Sequence, residues 1–430
     1  MKKFLLLIIS ISGVYSSSAF AQTSNESLSK PNEIDFSAQI RTRGEYRNGQ
    51  GTLREEGATP ATFINYRTRF SVAYKHSNYL EIKLAAQNTG VWGDGAQIDK
   101  TKVLSLNEAW TKFTPDGKDF YLQVGRQTLA YDDERILGAL DWHVSGRFHD
   151  ALKLGYEKNN HKIHGVFAYN QNSEKTTGNY YQSSEVPTQS MDYKALELIW
   201  YNYTKKSFSG SLLFLNINRQ GGTAEEPTNG NLQTFGTFLK NNVGGVRLTG
   251  SFYYQTGKSA QDVKTSAYLW NVNGAYSFNP IIDVNVGVEN ISGNDDSDKT
   301  TAFNTLYGTH HKFNGTMDYF TFPAYKNNKG LWDFSIGTKV NVSKKVSLKG
   351  AYHYFAIDKK VKDQGSTLGS EVDLDVDWKV APYVTVQGGY STFFGTKTLA
   401  AVKNGGSRGC WQDWAFLSLN INPKLFSAKW

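Results

Sequence analysis

Between Ile40 and Arg47 apolar or small residues alternate with charged ones, placing Arg41, Arg43, Glu45 and Arg47 at every second position. Side chains along a β-strand point alternately to its two faces, so these four share a face. The chain repeats this arrangement. Asn65, Arg67 and Arg69 oppose Tyr66, Phe70, Val72 and Tyr74, while Glu81, Lys83 and Gln87 oppose Leu80, Ile82 and Leu84. Arg247, Thr249, Ser251 and Gln255 oppose Leu248, Phe252 and Tyr254. Asp283, Asn285 and Glu289 oppose Ile282, Val284, Val286 and Val288. Asp333, Ser335 and Lys339 oppose Trp332, Phe334, Ile336 and Val340; Asp373, Asp375 and Asp377 oppose Val372, Leu374, Val376 and Trp378. Strands with one charged and one apolar face can close into a barrel that is wet inside and apolar outside. On such strands the cations must face the lumen, because lipid penalises Arg by roughly 2–4 kcal/mol at the midplane.

The first residues place the chain in a compartment where such a barrel can form. Lys2 and Lys3 precede an apolar run over residues 4–14, and Ala19-Phe20-Ala21 is a small-x-small cleavage site. Residues 1–21 read as a secretory signal peptide. Gln22 rather than Cys follows the cut, which argues against a lipoprotein anchor. Loss of Lys2 and Lys3 lowers the formal charge from +8 to about +6. No later run is long enough for a spanning helix. A mean hydropathy of −0.49 together with 14% aromatic residues suits a barrel with a polar lumen and aromatic interfaces. The lone Cys410 can form no disulfide within the chain.

The connections carry a second signal. His76-Ser77-Asn78, Asn159-Asn160, Thr204-Lys205-Lys206, Asn241-Asn242, Asn279-Pro280, Ser343-Lys344 and Ala381-Pro382 read as tight turns, with Pro115-Asp116-Gly117 slightly longer. Between them lie polar stretches at 48–62, 88–102, 127–149, 171–190, 220–230, 258–262, 293–330, 358–368 and 396–410. Eight short and nine long connections, alternating, predict 18 strands with both termini in the periplasm. The domain reading is a periplasmic lead-in at 22–33 and an outer-membrane barrel at 34–430, closing on a strand from Trp414 to Ile421. The fold class is therefore an all-β, transmembrane antiparallel β-barrel of about 18 strands, with long extracellular loops and short periplasmic turns.

Residues 125–150 alternate poorly and are rich in charge. Arg126, Arg135 and Arg147 stand among Asp132, Asp133, Glu134, Asp141 and Asp150, with Ile136, Leu137, Trp142 and Phe148 as apolar anchors. The stretch reads as an ordered loop folded into the barrel mouth, its carboxylates fixing its arginines near the narrowest point. A surface loop held by its own ion pairs is the plainer reading. The face of Arg126 is ambiguous, since Gln123 and Gly125 would face inward in a regular strand and Arg126 outward.

The runs Gly125-Arg126-Gln127, Tyr131-Asp132-Asp133-Glu134-Arg135-Ile136-Leu137-Gly138, Asp141-Trp142 and Gly146-Arg147-Phe148-His149-Asp150 resemble the signature of the outer-membrane alginate export porin family. Arg41-Thr42-Arg43-Gly44-Glu45-Tyr46 is similar to its first strand, and residues 303–318 to its long late loop. The resemblance runs from about Ile34 to the C-terminus. It implies a monomeric barrel of 18 strands with an electropositive pore for an anionic uronate polymer. Expected partners are that polysaccharide, outer-membrane lipid and a periplasmic secretion complex, with no nucleic acid and no cofactor or metal.

A conduit for a polyuronate needs cations spaced along its path, and arginine pairs bidentately with carboxylates. Arg41, Arg43, Arg47, Arg67, Arg69 and Lys83 lie on three consecutive strands and should form one basic wall, joined by Arg126, Arg135 and Arg147 from the loop. These cations could instead pair with lumen acids such as Glu45, Glu81, Asp373, Asp375 and Asp377 and simply hold the wall together. A general or sugar-selective diffusion porin is the alternative function; it needs the same barrel without the basic wall. An enzyme is not indicated: His143, Ser145, His149 and Asp150 are close in sequence, but no nucleophile elbow or zinc spacing accompanies them.

Overall fold

A computed structural model describes residues 31–98, 104–181, 193–295, 297–321, 328–403 and 405–430. The signal peptide and most of the lead-in lie outside the described residues. The strands are β1 (Glu33–Asn48), β2 (Ala61–His76), β3 (Leu80–Val91), β4 (Ser105–Phe113), β5 (Phe120–Gln127) and β6 (His149–Lys158). There follow β7 (His161–Tyr169), β8 (Ala195–Lys205), β9 (Phe208–Gly222), β10 (Pro227–Val243), β11 (Val246–Lys258), β12 (Lys264–Ser277) and β13 (Ile282–Ile291). The remainder are β14 (Leu331–Asn341), β15 (Val346–Ile357), β16 (Thr367–Ala381), β17 (Val384–Gly395), β18 (Asp413–Ile421) and β19 (Lys424–Lys429), with a short helix α1 (Lys397–Val402) between β17 and β18.

Each strand pairs antiparallel with its neighbours in sequence, and β1 closes the sheet by pairing with both β18 and β19. These last two are halves of one stave, broken at Asn422-Pro423, where proline supplies no ladder N–H. The result is a closed barrel of 18 staves. Closure leaves no unpaired edge for lipid to meet. Eight connections are short and lie at the end that holds the termini; nine lie at the other end, as the alternation predicts.

Two boundaries differ from the sequence reading. The turn placed at Asn241-Asn242 is at Gly244-Gly245, with φ of 58° and 86°. A two-residue hairpin of this type needs positive φ at both positions, which glycine adopts without cost and asparagine at a small one. The stretch 220–230 is mostly strand, since β9 and β10 stay paired out to Gly222 and Pro227.

The faces follow the alternation. Leu248, Val286, Phe334, Ile336, Leu374 and Leu417 point outward and are exposed, whereas Arg43, Arg67, Gln87, Glu289, Asp333 and Asp373 point inward and are buried. Exposed aromatics ring both ends: Tyr79, Phe113, Phe278, Tyr383 and Trp430 near the turns, and Trp92, Tyr169, Tyr354, Phe394 and Trp411 near the long loops. The core lies inside the loop-side half of the barrel. There Leu129, Ile136 and Leu137 from loop 128–148 and Phe303, Leu306, Tyr307, Met317 and Tyr319 from loop 292–330 pack on Leu196, Leu215, Tyr253, Leu269, Phe355 and Phe393 of the wall.

Candidate conduction site

The strand register sets Arg41 opposite Arg67, Arg43 opposite Asn65, and Arg69 opposite Gln87. Like charges directly across a sheet repel, so such a wall needs compensation. Loop 128–148 supplies it, mostly with backbone carbonyls. Arg41 donates to the carbonyls of Asp141 at 2.8 Å, His143 at 3.2 Å and Trp142 at 3.3 Å. Arg43 donates to the Trp142 carbonyl at 2.8 Å, and Arg67 to that of His143 at 2.6 Å and to that of Val144. Arg69 grips Gln87 Oε1, whose amide passes the contact on to the Ser145 carbonyl at 2.9 Å. The one loop carboxylate that reaches this wall is Asp141, 2.6 Å from Arg67 Nη1 and 3.5 Å from Arg41 Nη1. Burial opposes its charge, but Arg67 and Arg41 outweigh burial and hold it below the usual carboxylate range. His143 is shifted down, by burial first and then by Arg43 and Arg67.

The wall also has its own acids. Buried Glu45 receives Arg43 and Arg47, each at 2.8 Å, and the Trp414 indole. Lys83 pairs with Glu108 at 2.6 Å, and Glu81 with Lys112 at 3.2 Å. The pairing reading thus holds for Glu45 but not for Glu81, Asp373, Asp375 or Asp377. Glu81 pairs with a lysine outside the arginine wall, and the aspartates stand on β16 and serve another loop and Lys349.

Three placements in the loop correct or refine the sequence reading. Arg126 is not in the lumen. It lies on the outward face, forked onto Asp150 with both contacts at 2.8 Å and stacked 4.1 Å from the Phe148 ring. No bulge turns it inward: the φ of +117° at position 125 and its close approach to the Ala109 carbonyl both call for glycine, and Arg126 stays in register with Asp150. Asp150 therefore orients a rim arginine and not the pore loop. Arg135 and Arg147 are inside, but as stitches between loops. Arg135 pairs with Asp133 at 2.8 Å and with Glu289 of β13, and lies 4.0 Å over Phe313; burial lowers its pKa. Arg147 donates to the carbonyls of Tyr307 and Gly308, and burial lowers its pKa to about 10. The other carboxylates have separate tasks. Asp132 accepts from the Trp200 indole at 3.0 Å and is raised by burial, while Glu134 accepts from Thr309 Oγ1 at 2.6 Å.

Loop 292–330 docks on the opposite wall, and its neutral groups do the gripping. Asn314 donates to Glu289 at 2.8 Å and to Asp333 at 3.2 Å; Thr316 donates to Asp373 at 2.5 Å; the Met317 N–H donates to Glu371 at 2.7 Å. The two loops meet at a parallel bridge between Leu137 and Tyr307. They meet again at Trp142, which is sandwiched between the Arg43 guanidinium at 3.9 Å and the His311 ring at 4.3 Å. Sequence reasoning missed Glu371, His311 and the lumen lysines Lys112 and Lys153. The alternation could have found the wall residues; the Trp142 sandwich joins positions far apart in sequence and left no local signal.

Beneath loop 292–330 a cavity of about 390 Å³ opens toward the turn end, bounded by His311, Asn314, Thr316, Lys339, Lys349 and Asp375. Among the described residues no group of His, Cys, Asp and Glu could hold a metal ion. The imagined hydrolytic set is dispersed: His149 is buried against Tyr193, whereas Asp150 faces outward.

With this geometry in hand, the sequence matches, over residues 32–408, the family described as alginate export. No curated protein matches the chain. Among solved structures it is similar to OccAB1 of Acinetobacter baumannii, with TM-score 0.62 and 13% identity over 91% of this chain and 97% of that one. It is similar also to OccK9 (OpdG) of Pseudomonas aeruginosa, with TM-score 0.61 and 12% identity over 92% and 98%. At these identities the likeness speaks for the fold.

Proposed function

The chain belongs to the alginate export family, and from that premise we propose that this outer-membrane channel passes an anionic polysaccharide, an alginate-like polyuronate, along the arginine wall of β1 and β2. Family and fold are those of a transporter rather than an enzyme. The observation that carries the reading is how Arg41 and Arg67 are held: chiefly by neutral carbonyls, which orient the guanidiniums without cancelling their charge, while Arg43 divides its donors between the Trp142 carbonyl and Glu45. A carboxylate makes a stronger, charge-assisted bond to the same donors. Each uronate of a passing chain can therefore exchange with a loop carbonyl, and the carbonyl's return releases it. Conduction needs this balance, with several sites and none a trap. Asp141 sits where such a carboxylate would sit and sets the strength a substrate must match.

The test is a planar-bilayer recording of reversal potential in a KCl gradient, with oligogalacturonate added as blocker. The expected channel is anion-selective and blocked. The double variant Arg41→Ala, Arg67→Ala loses selectivity and block together, by roughly 1.5–3 kcal/mol per lost contact. A reversal potential near zero with no block would instead identify a general or sugar-selective porin.

A further inference from the structure

The arginine wall is committed to loop 128–148, but the turn end of the lumen is not committed to any loop. Four lysines there face inward: Lys75 on β2, Lys240 on β10, Lys339 on β14 and Lys379 on β16, each two to four residues from a turn. Their facing follows from their neighbours. Leu239 beside Lys240 and Trp378 and Val380 beside Lys379 are exposed to lipid, Tyr74 beside Lys75 stacks on Trp430 outside, and Lys339 lines the 390 Å³ cavity.

Other cations at this level are paired: Arg247 with Asp283 at 3.0 Å, Lys349 with Asp377 at 2.6 Å and Lys424 with Asp35 at 2.8 Å. Among the described residues, the four lysines have no carboxylate within ion-pair distance, because the acids nearest them are already taken. Glu33, across from Lys75, pairs with Lys429, and Asp283, across from Lys339, pairs with Arg247. The turns add Lys118, Lys206, Lys344 and Lys345 against only Asp116 and Asp119. At the other mouth lysines stand beside acids, as Lys299 beside Asp298 and Lys362 beside Asp363.

We propose that this vestibule is a capture ring for a polyanionic chain. The inference rests on the polyuronate reading above and adds a second site to it. An unpaired amine inside a low-dielectric wall focuses field on the mouth and raises the encounter rate of an anion. Four such amines on β2, β10, β14 and β16 are spread around the circumference. A small anion can meet one at a time; a chain with a carboxylate on every residue can hold several, then reach the arginines above.

The experiment uses single channels in a planar bilayer. Their orientation is fixed by the side from which a membrane-impermeant thiol reagent modifies Asn78→Cys in a Cys410→Ser background. Oligogalacturonate is added to each side in turn at low salt. The quadruple variant Lys75→Gln, Lys240→Gln, Lys339→Gln, Lys379→Gln is expected to lower the blocking on-rate from the periplasmic side at least tenfold and to leave the extracellular on-rate unchanged. The matching Lys→Arg variant should block as the parent does, which separates loss of charge from loss of fold. If the parent channel is blocked but the Gln variant's periplasmic on-rate is unchanged, or falls equally from both sides, the ring is not a capture site. An acidic periplasmic protein then becomes the partner for these lysines. If the parent is blocked from neither side, the polyuronate reading itself has failed.

Discussion

The two walls that grip the loops carry opposite charge and hold them by the same means. On β1 and β2, arginines hold loop 128–148 by its carbonyls; across the barrel, Glu289, Asp333, Glu371 and Asp373 hold loop 292–330 by an amide, a hydroxyl and a backbone N–H. Each wall thus binds a neutral partner of suitable dipole, and neither spends its charge on a counter-charge from the loop, Asp141 and Arg135 excepted. Had the loops docked by ion pairs, the lumen would be electrically quiet. Dipole docking orders the loops and leaves the fields of the walls in place. The walls differ in what a missing partner costs: a buried guanidinium has no neutral isostere, whereas a carboxylate can be replaced by its amide.

The largest effect should come from removing the basic wall's partner. Deleting residues 132–146 uncovers Arg41, Arg43 and Arg67 and opens the loop-side half of the lumen. Conductance and anion preference are expected to rise together, by several-fold in conductance. An unchanged conductance in bilayers would place the loop outside the current path. Next comes the asymmetry between walls. Arg67→Ala strips the Val144 carbonyl of its donor and Asp141 of its 2.6 Å partner, leaving Arg41 alone on the Asp141 and His143 carbonyls, at roughly 3 kcal/mol of loop docking. Glu371→Gln keeps an oxygen to accept from the Met317 N–H and should cost under about 1 kcal/mol. Hydrogen exchange of residues 128–148 in the first variant and 305–321 in the second measures both. Equal loss of protection would break the comparison.

Much of this was legible in the sequence, and for a definite reason. Period-two alternation is enforced by lipid on one side and water on the other, so Arg41, Arg67, Asp333 and Asp373 could be assigned to the lumen without coordinates. Turn residues gave the strand count for the same local reason, and the error at Asn241-Asn242 arose where two acceptable turn pairs lie three residues apart. What was not legible depends on contacts between distant segments. Nothing local says that Asp373 serves Thr316 and not an arginine, or that Trp142 lies between Arg43 and His311. Arg126 shows the hazard in a motif: it sits in the most distinctive run of the sequence, yet its task is to pin Asp150 and Phe148 on the outer rim.

The seam between the loops should respond to pH. His310 bonds Thr305 Oγ1 at 2.9 Å, and burial, then Arg147, lowers its pKa from 6.5 to about 4. The docked state thus prefers neutral imidazole. Its contribution is present above pH 6.5 and is lost as the pH falls through that window to about 4. The imidazole keeps some access to water, which screens part of the penalty. Exchange of residues 305–312, corrected for its intrinsic pH dependence, should quicken by about tenfold over the window. In His310→Gln that acceleration should vanish; if it persists, another group controls the seam.

The smallest expected change in stability sharpens the comparison most. Asp141 is the single loop carboxylate on the basic wall, and its side chain is 64% exposed although Arg67 beneath it is fully buried. An exposed partner is screened by water, so Asp141→Asn should cost at most about 1 kcal/mol of loop docking. The amide oxygen can still accept from Arg67, and the carbonyls of Asp141, Trp142 and His143 are untouched. One negative charge nevertheless leaves the immediate field of Arg41 and Arg67. Anion preference should therefore increase and oligogalacturonate block should deepen, with loop protection almost unchanged. That separation is what dipole docking requires: the carbonyls order the loop, and the carboxylate tunes the field. If Asp141→Asn instead frees the loop as Arg67→Ala does, the ion pair is the anchor and the carbonyl contacts are its consequence.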